Sequence, residues 1–101
     1  MKIEEYIPNG AGAAITLGDL ARLLDIERRE VERAIQFARQ NGVPICASNS
    51  EPFGVFIAET SEELAQYIES LDRRLKNMTI TRLALGDMLA EMSGQQTIEG
   101  A

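Results

Sequence analysis

Six side chains between positions 28 and 40 could do chemistry together: Arg28, Arg29, Arg33, Gln36, Arg39 and Gln40. At 100° per residue, Arg29, Arg33, Gln36 and Gln40 share one side of a helix, opposite Val31, Ile35 and Ala38. Arginine can donate two hydrogen bonds to a guanine edge, and a glutamine amide can bond an adenine edge in two places. Arg28 and Arg39, on the borders of the stripe, are suited to reach phosphate oxygens. Arg29 and Arg33 are like charges four residues apart, a mildly unfavourable pair on a bare helix that a polyanion would relieve. Glu30 and Glu32 stand among these arginines and offer the competing possibility, ordinary surface ion pairs.

Other chemistry finds little equipment. The chain has no histidine, which removes the commonest general base and metal ligand. A single cysteine, Cys46, cannot close an internal disulfide and, without histidine, does not make a zinc site. Cys46 reads as a buried strand residue, not a nucleophile, because nothing near it in sequence would lower its pKa. The glycine-rich NGAGAA at 9–14 lacks the lysine and hydroxyl of a phosphate loop and reads as a flexible connection. Asn77-Met78-Thr79 matches a glycosylation acceptor but lies within a helical pattern and is discounted. The expectation is a protein without cofactor, metal or enzymatic activity.

The elements that must position the stripe follow from local signals. Residues 2–7 allow one helical turn or more before Pro8, and residues 8–14 read as a loop. Thr16 is suited to cap a helix on which Leu17, Leu20, Ala21 and Leu24 share a face, with Asp19 in its first turn. Asp25 tolerates the left-handed conformation of a sharp turn, and Ile26 would plug the space between two helices. The second helix is expected over about residues 27–41, stopped by Gly42. VPICA at 43–47 and GVFIA at 54–58 read as strands joined by the polar turn SNSEPF, a β-hairpin directly after the second helix.

Thr60, with Glu63 three residues on, opens another helix. Along it Leu64, Ile68, Leu71, Leu75, Met78, Leu85, Leu89 and Met92 alternate steps of four and three, with Arg82 in the one polar slot. That is a heptad seam. Its first two turns, with Tyr67, are expected to cover the preceding core. Beyond them Leu75, Met78, Leu85, Leu89 and Met92 need another partner, and a homodimer through this helix is the expectation. A break is conceivable at 77–79 or at Gly86-Asp87. The expected organisation is a core over residues 1–59, a helical arm over 60–92 and a disordered polar tail over 93–101.

Helix, helix, sharp turn, helix, hairpin is the element order of a winged helix-turn-helix. LARLLDIERREVERAIQFARQNGVPI, followed by a short hairpin, GVFIA and TSEEL, resembles the winged-helix modules of small phage and prophage proteins. It is more distantly similar to the DNA-binding domain of biotin repressors. The resemblance spans roughly residues 3–75, with Ala21 where the helices cross and Val31 ten residues later. Asp25 stands where the family usually has glycine, and Glu27 where it often has a small hydroxyl residue. The resemblance implies an α+β, mostly helical fold, a winged helix-turn-helix with a long C-terminal helix or helical arm. It places the second helix in the major groove and the hairpin against the backbone, where Ser48 and Asn49 could bond phosphates. The function it implies is sequence-specific binding of duplex DNA by a dimer, as a transcriptional regulator or a phage-type replication or packaging factor.

The net charge of −6 works against nucleic-acid binding, but its distribution is uneven. Residues 15–58 hold five arginines against six acids, whereas residues 59–101 hold four bases against eight acids. An acidic winged-helix adaptor that binds protein and not DNA is therefore the alternative. No stretch is apolar enough for a signal peptide or a membrane span, and a cytoplasmic location is expected.

Overall fold

The computed structural model describes residues 2–94 and has an α+β architecture. Its elements are α1 (Leu17–Leu24), α2 (Arg28–Gln40), β1 (Ile45–Ser48), β2 (Gly54–Ile57) and α3 (Ser61–Met92), preceded by 3-10 turns at Ile3–Tyr6 and Ala11–Ala13. The chain divides into two compact units, Met1–Ile68 and Glu69–Ala101.

In the first unit each helix end is fixed by a residue suited to it. The Thr16 hydroxyl accepts the Asp19 N–H at 3.0 Å and caps α1. Asp25 ends α1 in the left-handed region at φ 55°, ψ 47°. The Ile26 N–H reaches back to the Ala21 carbonyl and the Asp25 N–H to that of Arg22. These paired bonds satisfy carbonyls that the helix end leaves open. After α2, Gly42 repeats the device at φ 95°, with Val43 N–H on Ala38 and Gly42 N–H on Arg39. At the start of α2, Glu30 reaches back to accept the Glu27 N–H at 3.2 Å.

β1 and β2 form an antiparallel pair with Ile45 opposite Ile57 and Ser48 opposite Gly54. The segment before α1, expected as a flexible connection, lies along the free edge of β2. Ile15 and Val55 exchange hydrogen bonds at 3.0 and 2.7 Å, Gly10 N–H meets the Ile57 carbonyl, and Ile57 N–H meets that of Pro8. Residues 8–15 thus extend the hairpin on its second edge, a long-range pairing that a local glycine pattern does not reveal.

The core joins Ile3 and Ile7 to Leu20, Ala21, Val31, Ile35, Ala38, Ile45 and Val55. Ile26 packs against this cluster, as expected of an apolar turn residue. Leu64, Tyr67 and Ile68, expected to cover the core, are not members of this cluster, although Leu64 and Tyr67 are partly buried. Leu17, Leu24 and Val43, partly buried, pack against the cluster.

The start of α3 is tied to the module by polar groups. The Thr60 hydroxyl accepts the Glu63 N–H, and the Glu63 carboxylate accepts the N–H of Ala11 at 3.0 Å and of Glu59 at 2.7 Å. The backbone donor of Ala11, then that of Glu59, holds the carboxyl below its ordinary value of 4.5. Stability from this ionised group is complete above that ordinary value and is lost as pH falls through the lowered one. Chemical denaturation across pH 2–7 checks this. Glu63→Gln should be less stable than wild type at neutral pH, and the difference should shrink as pH falls below that ordinary value.

α3 runs unbroken through 77–79 and Gly86, about 48 Å at 1.5 Å per residue. Ser93 and Gly94 close it with a turn, Ser93 N–H on the Leu89 carbonyl. The rest of the tail expected to be disordered lies outside the described residues. No helix among the described residues is long and apolar enough to cross a membrane.

Candidate nucleic-acid interface

α2 carries the candidate surface. Val31, Ile35 and Ala38 point into the core, so the helix's opposite side is fixed outward by packing. Arg29, Arg33, Gln36 and Gln40 are all exposed there. Arg29 and Arg33 have no ion-pair partner among the described residues. The acids that could have neutralised them are engaged elsewhere: Glu30 accepts the Glu27 N–H, and Glu32 lies 3.4 Å from the Arg28 Nε. That Arg28–Glu32 pair is exposed at the end of the stripe and would open at little cost.

Arg39 departs from its expected role. It is half-buried, its Nε donates to the Ile45 carbonyl at 2.7 Å, and its guanidinium lies 5.1 Å from the centre of the Tyr67 ring. It clamps α2 to β1 and to the first turns of α3, and it does not stand on the outward stripe. At 100° per residue Arg39 falls about 40° from Ile35, but the exposed Arg28 falls about 20° from it, so periodicity does not tell the two apart.

The hairpin turn also differs from a free phosphate-binding loop. The Ser48 hydroxyl donates to the Ser50 carbonyl at 2.6 Å and accepts the Ser50 N–H at 3.3 Å, so it stabilises its own turn. Asn49 is exposed at the tip, with Glu51 and Phe53 close in sequence. Ser48 is therefore less available to a phosphate than Asn49.

Phe37 is a surface residue that the stripe did not include. It is 69% exposed, one turn from Arg33 and one from Gln40. An exposed aromatic ring beside arginine and glutamine adds an apolar contact surface, the type of group that can meet a thymine methyl. The signal was present in the sequence: at 100° per residue Phe37 falls about 40° from Arg33 and about 120° from Val31.

Cys46 is fully buried, as read, and burial pushes its thiol pKa up, against a smaller opposing effect of Arg39. No cluster of His, Cys, Asp and Glu able to hold a metal occurs among the described residues. Comparison with known proteins finds no matching family, no matching characterised protein and no matching solved structure.

Proposed function

We propose that this chain is a winged helix-turn-helix protein that binds duplex DNA through the outward face of α2. The observation that carries the reading is the pair of unneutralised arginines, Arg29 and Arg33, with Gln36 and Gln40 on one exposed face set by core packing. The order of α1, a three-residue turn, α2 and a hairpin supports it, and the edge segment at Ile15 gives the hairpin a third backbone partner. In this reading Arg29, Arg33, Gln36 and Gln40 meet base edges, Phe37 lies against thymine methyl groups, and Arg28 and Asn49 reach phosphates. The biological setting is transcriptional regulation or phage-type replication or packaging.

The hairpin tip brings no cation, and Glu51 sits next to it in sequence, so few phosphates are neutralised. Affinity should be modest and steeply salt-dependent, with log K falling by about 0.9 per phosphate contact for each unit of log salt. A titration of random-sequence duplex DNA from 20 to 200 mM salt tests this, and undetectable binding at the lowest salt would rule it out. A protein adaptor is the second reading. It is favoured by the exposed Phe37 and by the excess of acids over bases beyond residue 58. Under that reading DNA binding stays absent at every salt concentration.

A further inference from the structure

The second unit carries a surface that DNA binding does not use. On α3 Leu75, Met78, Leu85, Leu89 and Met92 are between 57% and 86% exposed, and no residue of the helix is buried. With Leu71 and Arg82 they keep the four-three spacing of a coiled-coil seam without interruption from 71 to 92. Continuity of the helix through Gly86 keeps every one of these positions on one stripe.

We propose that this seam pairs with the same seam of a second copy of the chain, and that the two helices run antiparallel. The one charged seam position sets the direction. In a parallel, in-register pair Arg82 would face Arg82 of the second copy in the same layer, two like charges at an apolar interface. In an antiparallel pair each layer joins the two kinds of seam position. Arg82 then faces Met78 or Leu85 of the second copy in the two registers that overlap the seam most. Its aliphatic stem covers that side chain while the guanidinium turns to water. Met88 borders the seam and would be partly covered, whereas Ile80 and Leu83, neighbours three residues apart, stay exposed on the outer side.

The test is the order of two distances between chains. Nitroxide labels are placed on Asp72→Cys and, separately, Ala90→Cys, with Cys46 protected by burial. Pulsed EPR is run on each labelled protein alone and on their mixture, beside sedimentation analysis of mass. The expected result is a two-chain mass and a separation between a 72-labelled and a 90-labelled chain shorter than that between two 72-labelled chains. Two 72 positions in an antiparallel pair lie about 24 Å or more apart along the axis. The substitution Leu85→Glu, at an exposed position outside the core, should weaken association at least about tenfold while leaving the first unit folded. The reverse order of distances, a strict monomer, or an assembly of more than two chains would each overturn the proposal.

Discussion

Replacing Arg29 and Arg33 together by alanine should lower affinity for duplex DNA by roughly a hundredfold or more, with no loss of helical signal or of cooperative unfolding. Each arginine that bonds a base edge in two places contributes about 1–3 kcal/mol of discrimination. The two residues are neighbours on one face, so their effects need not add. Stability should not fall, because both side chains are exposed and unpaired among the described residues. Their removal relieves a like-charge pair four residues apart, so the variant should unfold at the same or slightly higher denaturant concentration. This separation of binding from stability tells the DNA reading from a merely solvated charged face. The control is Arg39→Ala, which removes the bond to the Ile45 carbonyl and the packing on Tyr67. That change should cost stability first and binding only as a consequence. If Arg29→Ala/Arg33→Ala bound random duplex as tightly as the wild type at every salt concentration, α2 would not be the DNA-contacting helix.

The parts of this fold that were legible in the sequence are those decided within a few residues. The Thr16 cap, the left-handed Asp25 and the Gly42 stop depend on local backbone chemistry, and all three stand where their residue types suggest. The heptad spacing of α3 was equally plain, since it repeats over several turns of one helix. Whether the helix would break was not decidable locally. One interior glycine costs only about 1 kcal/mol relative to alanine, which a helix of this length absorbs. What stayed hidden depends on distant partners. Residues 8–15 look like a loop because glycine and alanine have no side-chain preference to express, and their order comes from β2 and from the Glu63 carboxylate. Arg39 was mistaken for a surface cation because its acceptor, the Ile45 carbonyl, is a backbone atom that carries no sequence signature. The outward direction of Arg29 and Arg33, by contrast, follows from Val31, Ile35 and Ala38 alone, so the centre of the candidate surface was legible where its borders were not.

That edge segment gives the largest expected effect on stability, through Gly54→Ala. Gly54 opens β2 at φ 129°, a conformation strained for any residue with a side chain. A Cβ built there would lie 2.1 Å from the Ile15 carbonyl oxygen and 2.7 Å from the Thr16 nitrogen. Both neighbours are backbone atoms, so no side-chain rotation can make room. Relief would require Ile15 to withdraw from β2, giving up the two bonds it exchanges with Val55. Each such bond is worth about 1 kcal/mol net, and strain in a sparsely populated backbone region adds about 1–3 kcal/mol. Withdrawal would also displace Thr16, whose hydroxyl caps α1, so the damage would pass from the sheet edge into the helix pair. The total, about 3–5 kcal/mol, approaches the whole stability of a small domain. In urea the variant should unfold at a far lower midpoint than the wild type or fail to fold cooperatively. Gly12→Ala is the matched control: nothing lies within 4 Å of a Cβ at Gly12, and the change should stay within about 0.5 kcal/mol of wild type. Equal midpoints for Gly54→Ala and Gly12→Ala would mean that residues 8–15 do not hold to β2. The hairpin would then have an open edge beside α1, and the placement of the whole α2 face would lose one of its supports.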